Sequence, residues 1–192
     1  MCQLMWDAQQ SCEGSAREQL QANRRADTQD AILRAIPAIY YRDVKARHIV
    51  DKCRSWALPD NMTMIRRYIT NDPKVIVMTR PIDEIVDSFV RLHEANGWID
   101  PAAGLLDPMT EPIMRSQFGV DYARATNKGE FLFIEYADLI TDTEQVLGSI
   151  YDFAGFDSFT HDLTNIVNRH PEDDTVYGLA GMHDVRSMIG AR

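Results

Sequence analysis

The chain is short of cysteine, of long apolar runs and of positive charge, and each shortage removes a class of function. Its cysteines are Cys2, Cys12 and Cys53, an odd number at no metal-ligand spacing. That argues against a secreted disulfide scaffold or a cysteine-bound metal, and it suits a reducing compartment. No apolar run approaches the roughly 20 residues that cross a bilayer, and the N-terminus lacks a basic start followed by an apolar stretch. A cytoplasmic protein without a membrane partner is expected. Lys plus Arg number 20 against 29 Asp plus Glu, a net charge of −9. This balance lacks the basic footprint of a nucleic-acid binder, yet it leaves room for a local basic pocket around one nucleotide. The clusters Arg24-Arg25, Arg42 to Arg47 and Arg66-Arg67 read as solvated faces. There is no Walker-type Gly-Lys-Ser/Thr loop. Gly178-Leu-Ala-Gly181 is late and lacks the Ser/Thr and Lys that such a loop uses, which counts against a nucleotide kinase.

What is present is a globular pattern. At 192 residues with 45% hydrophobic content, a single domain spanning 1–192 with one core is expected. Leu4 to Ala38 reads as two helical segments broken at Gly14, with Asp27 or Thr28 as the second N-cap. His48 to Val50 is a short strand candidate, and Asn61 to Ile69 is a helix with Met62, Ile65 and Ile69 on one face. Val75 to Met78 is the next strand, followed by a helix through His93. Asn96 to Pro112, rich in Gly, Pro and Asp, is a long loop or a loop containing a short helix. Ile113 to Ala125 is helical and Phe131 to Glu135 is a strand. Thr141-x-x-Glu144 has the form of a capping box opening a helix that ends at Gly155. Alternating strands and helices indicate an α/β layer fold with a parallel sheet flanked by helices.

The most informative stretch is Val75-Ile-Val-Met-Thr-Arg-Pro-Ile-Asp-Glu-Ile-Val-Asp-Ser88. A short β-branched run reads as a buried parallel strand. Pro81 suits the first turn of a helix, where its missing N–H costs nothing. Ile82, Ile85, Val86 and Phe89 then recur at helical spacing. Arg80 therefore leaves the C-terminal end of a parallel strand, where open α/β sheets bind ligands. Its planar fork suits phosphate oxygens. Ser88, two helical turns on, offers a hydroxyl to the same anion. A pairing of Arg80 with Asp83 or Glu84, and a merely exposed Ser88, are the plainer alternatives.

With these residues the chain resembles the sulfotransferases that use 3′-phosphoadenosine-5′-phosphosulfate (PAPS). In that family a strand, an Arg and a Ser eight residues later bind the 3′-phosphate. Phe131-Leu-Phe-Ile-Glu-Tyr-Ala-Asp-Leu139 is similar to the family's strand ending in Tyr-Glu-Asp-Leu, and Phe153-Ala154-Gly155 to its Phe-Leu-Gly helix end. The resemblance implies a P-loop-nucleotide-kinase-like architecture and a metal-free transfer of a sulfuryl group from PAPS to a hydroxyl or amine. The acceptor class, whether small molecule, carbohydrate or protein, and the oligomeric state stay open. It also implies that Arg80 and Ser88 hold the 3′-phosphate and that Tyr136 contacts the adenine, against the alternative of a core aromatic. Lys52, after a short strand, would neutralise charge near the sulfuryl group or leaving phosphate; a surface Lys at a strand end is an equal reading. Arg54 stands where some members carry a catalytic His, and Asp51 reads as structural rather than as a base.

The tail Val176-Tyr-Gly-Leu-Ala-Gly-Met-His-Asp-Val-Arg186 is similar to a Gly-Leu-Pro-Gly-Leu-His-like segment of some bacterial members. By that likeness Arg186 would reach the nucleotide, and His183 reads as a loop imidazole with no task. The family's first motif, a Pro-x-Ser-Gly-Thr-Thr-like loop that cradles the 5′-phosphosulfate, is not in these residues. The chain is thus read as incomplete at its N-terminus relative to the family pattern. A non-catalytic remnant or interaction subunit that keeps only the 3′-phosphate site is the alternative to an enzyme.

Overall fold

The computed structural model describes residues 1–98, 102–107, 112–169 and 171–185. The chain forms two compact units, Met1–Pro73 and Lys74–Arg192.

The first unit is helical: α1 (Cys2–Ser11), α2 (Ser15–Ala22), α3 (Thr28–Tyr40) and α4 (Pro59–Tyr68). Gly14 breaks α1 from α2 at φ +56°, as its position between two helical patterns predicts. A second break separates α2 from α3, where Arg24 takes a left-handed φ of +57°. No Gly or Pro marks that point, so three helices stand where two segments are expected. Asp27 occupies the N-cap position of α3 without a capping side-chain bond. The core of the unit is Met5, Leu33 and Met64, all nearly sealed from water, with Trp6, Ile36 and Tyr68 packed around them. Asp30 ties α3 to α4 by accepting from Arg67 Nη2 (2.9 Å) and Tyr68 Oη (2.8 Å). Those donors hold its carboxyl below the usual carboxylate range, the Tyr68 hydroxyl most. Arg67 is therefore a paired residue rather than only a solvated one.

The expected strand at His48 to Val50 is not formed. Ile49 and Val50 are exposed, Val50 by 76%, and they join no ladder among the described residues. A three-residue segment with two apolar side chains is too short to hold an extended conformation without a neighbouring strand.

The second unit contains β1 (Val75–Thr79), α5 (Ile82–Ala95), α6 (Ala102–Leu105), α7 (Pro112–Thr126), β2 (Phe131–Glu135), α8 (Tyr136–Thr141), α9 (Thr143–Ala154) and a 3-10 turn at Asp174–Tyr177. The strands pair in parallel, Val75 opposite Phe131 through Thr79 opposite Glu135. Parallel strands need a long crossover, supplied here by the helices from α5 to α7. This is the α/β arrangement with a parallel sheet that the alternation of elements predicts. Val77, Phe131 and Ile134 are buried, and Thr79 Oγ1 donates across the pair to the Ile134 carbonyl at 3.3 Å.

Local chemistry sets the ends of these elements. Asn127 brackets the entry to β2: its Oδ1 accepts from the Gly129 and Phe131 N–H groups, and its Nδ2 donates to the Phe131 carbonyl. Gly155 closes α9 in the left-handed region at φ +67°, as a helix-ending Gly predicts. The capping box at Thr141 is not made. Thr141 and Thr143 instead donate back to Ala137 and Leu139 carbonyls of α8, and Asp142 takes the N-cap position without a side-chain bond. A hydroxyl next to a preceding helix satisfies that helix's last carbonyls first. No described helix is long and apolar enough to cross a membrane.

Candidate functional site

Because Thr79 and Glu135 are register partners, the residues that follow them leave the sheet side by side. These are Arg80 and Tyr136. The Arg80 guanidinium lies over the Tyr136 ring, its carbon 4.9 Å from the centroid, a cation–π arrangement. Arg80 also donates from Nε to Glu84 Oε2 at 2.8 Å. Among the described residues its hydrogen bonds run through Nε alone, so the edge formed by Nη1 and Nη2 stays available. The Arg80 side chain is 31% exposed, half-sheltered but open to a ligand.

Pro81 takes the N-cap position of α5 with an extended ψ of 134°, and the helix begins one residue later than its sequence position suggests. The turn puts Asp83 and Glu84 in the first turn, where carboxylates complement the helix dipole. Of these two acids it is Glu84 that pairs with Arg80. Ser88 is exposed and stands one turn beyond Glu84 on the same face of α5. It lies about 12 Å of helix rise from Arg80.

Glu135 is the N-cap residue of α8, and Arg124 Nη2 approaches its carboxylate at 3.8 Å. Asp138 sits in the first turn of that helix. Both acids thus have helix-end positions.

Lys52 belongs to the first unit. It is exposed, in a coil segment whose neighbours are tightly held. Asp51 accepts from Tyr41 Oη at 2.5 Å and from Trp56 Nε1 at 2.8 Å. Burial, and then that hydrogen bond, push the Tyr41 phenol up. A carboxylate with two committed donors is an anchor for the segment, in keeping with its structural reading. Cys53 Sγ accepts from the Ser55 N–H at 3.4 Å. Its thiol is pulled down to about 6, chiefly by a hydrogen bond from Cys2, while Cys2 is pushed up by the same contact and by burial. No spacing rule links two cysteines so far apart, so sequence reasoning had no signal for this pair.

The late loop is also organised. Asp174 accepts from the His183 backbone N–H at 2.8 Å and contacts its Nδ1 at 2.6 Å. The backbone donor first, then the imidazole, hold the Asp174 carboxyl low. Asn96 clamps the loop: its Oδ1 accepts from Ala180 N–H, and its Nδ2 donates to the Ala180 carbonyl. The imidazole thus has a task, which is to fold the loop upon itself. Asn96 caps the C-terminus of α5, whereas Arg80 precedes its N-terminus. Fourteen helical residues span about 21 Å, so the clamped segment docks at the helix end remote from Arg80. Arg186 lies outside the described residues. No group of His, Cys, Asp and Glu suited to a metal ion occurs among the described residues.

The sequence profile described as the sulfotransferase family matches residues 4–161. No curated protein matches the chain. A solved structure, the "Sulfotransferase Domain from the Curacin Biosynthetic Pathway", is similar at 17% identity and a TM-score of 0.44, over 82% of this chain and 50% of that one. The chain therefore spans half the length of that domain. With the profile running through both strands and the helices that follow them, the chain belongs to the sulfotransferase family.

Proposed function

We propose that the chain binds PAPS at the C-terminal ends of β1 and β2 and moves its sulfuryl group to a hydroxyl or amine acceptor. The observation that carries this reading is the juxtaposition of Arg80 and Tyr136 at two register-matched strand ends. A guanidinium with its two-nitrogen edge available fits the 3′-phosphate, which accepts two parallel N–H bonds. The Ser88 hydroxyl on the following helix supplies a further donor. The Tyr136 ring offers an aromatic surface suited to adenine, on the side away from Arg80.

In the transfer, the acceptor oxygen or nitrogen attacks sulfur and the bond from sulfur to the bridging phosphate oxygen breaks. The sulfuryl group passes to the acceptor, the acceptor's proton goes to a base, and 3′-phosphoadenosine-5′-phosphate (PAP) leaves with the electron pair. A cation near the bridging oxygen stabilises that developing charge.

Calorimetric titration of the folded chain with PAP tests the site, with Arg80→Ala beside it. Micromolar binding that falls at least about tenfold in the variant is expected, since a charge-assisted bidentate contact is lost. Equal binding by the two proteins refutes the site. Release of PAP from PAPS in the presence of acceptors then separates transfer from binding alone.

A further inference from the structure

Arg80 is held on two sides. Tyr136 covers one face of the guanidinium and Glu84 takes Nε. An arginine presents two bidentate edges, one containing Nε and the other made of Nη1 and Nη2. With Nε engaged, the side chain is aimed so that its end-on edge meets an incoming anion. We propose that Glu84 is a positioning residue for Arg80, presenting the Nη1/Nη2 edge to the 3′-phosphate while its own charge limits how tightly that phosphate is held. The inference rests on the nucleotide reading above and adds a control on the same site.

The second half follows from helix spacing. Glu84 bonds Arg80 and stands one helical turn before Ser88 on the same face of α5, so a phosphate reaching toward both Arg80 and Ser88 comes close to the Glu84 carboxylate. That carboxylate is 52% exposed and lies well within a Debye length of such an anion. Like charges repel, and the repulsion opposes the attraction of Arg80. The bland explanation is that Glu84 only complements the helix dipole and forms an ordinary surface pair. That explanation gives no reason for nucleotide affinity to rise when the charge is removed.

The test compares Glu84→Gln with Glu84→Ala by calorimetry. Glu84→Gln keeps an oxygen acceptor for Nε–H but drops the charge, whereas Glu84→Ala removes both. Glu84→Gln should bind PAP about three- to tenfold tighter at low salt, with the gain shrinking as ionic strength rises. Adenosine 5′-phosphate, which has no 3′-phosphate, should show no gain. Glu84→Ala should bind at least about threefold more weakly than Glu84→Gln, because Arg80 is then untethered. A purely structural Glu84 cannot produce tighter binding when it is removed.

Wild-type binding that requires Arg80 but is unchanged or weaker in Glu84→Gln overturns the inference and leaves the site standing. Equal affinities for the two Glu84 variants overturn the positioning half. Wild-type binding that ignores Arg80→Ala, or no binding by the folded chain, overturns the nucleotide reading and this inference together.

Discussion

Replacing Tyr136 with Leu should weaken PAP binding by at least about fivefold, because the ring orders Arg80 in addition to facing adenine. The ring lies 4.9 Å below the guanidinium. A cation–π contact contributes about 0.5–1 kcal/mol at exposed sites and about 2 kcal/mol when desolvated. With the Arg80 side chain 31% exposed, a value near 1 kcal/mol is appropriate. A second route reaches the same size. Ordering an Arg side chain costs up to about 2 kcal/mol of rotamer freedom, and Glu84 still holds one edge when the ring is gone, so roughly half is lost. One kcal/mol is about a fivefold change in affinity at room temperature. Tyr136→Phe keeps the ring and should bind within about twofold of wild type. The assay is calorimetry with two ligands, PAP and the base-less ribose 3′,5′-bisphosphate. If the ring works through Arg80, Tyr136→Leu loses about fivefold with the base-less ligand too, and any larger loss with PAP belongs to the adenine contact. A loss confined to PAP would mean that the ring acts on adenine alone, and no loss with either would refute an ordering role.

Two further expectations concern the first unit. Leu33→Ala opens a cavity between Met5 and Met64 and should cost about 3 kcal/mol, lowering the urea midpoint followed by Trp6 and Trp56 fluorescence, whereas exposed Leu4→Ala should change it by less than about 0.5 kcal/mol; similar small effects for both would deny the assigned core. Cys53, with its thiol pulled down to about 6, should form thiolate as pH rises through that value. Its iodoacetamide alkylation should reach half its maximal rate near there, and the midpoint should move up toward the ordinary value of about 8.5 in Cys2→Ala. A wild-type midpoint already at the ordinary value would sink the Cys2–Cys53 hydrogen bond.

Much of this was legible because it is local. The apolar runs at Val75 and Phe131, the amphipathic spacing after Pro81 and the glycine at 155 each carry their signal within one element, and each forms within two residues of its expected bounds. Where a signal is local but its satisfaction is not, reading fails. His48 to Val50 has strand composition and lacks a ladder, and Thr141-x-x-Glu144 has a capping pattern whose hydroxyl is already committed to α8. The clamp of Asn96 on Ala180, the bond of Asp174 to His183 and the Cys2–Cys53 contact join residues with no spacing rule between them. For the candidate site, the strand end marked Arg80 and the family resemblance marked Tyr136, whereas their meeting and the choice of Glu84 over Asp83 as the Arg80 partner depend on side-chain geometry.

The meeting of Arg80 with Tyr136 depends on register, and register is set at the other end of the strand. A slip of one residue in a parallel pair moves β2 by about 3.3 Å and turns its side chains to the opposite faces. Phe131 and Ile134 would leave their buried positions, and Tyr136 would leave the Arg80 guanidinium. What prevents the slip is the turn before β2. Asn127 fixes Gly129 and Phe131 through three side-chain hydrogen bonds, and Val75 N–H donates to the Glu130 carbonyl at 2.9 Å, which sets the first rung. Five rungs later that choice becomes the spacing between a guanidinium and a ring. The polar turn at Asn127, at the opposite end of the strand, thus sets the meeting of Arg80 with Tyr136.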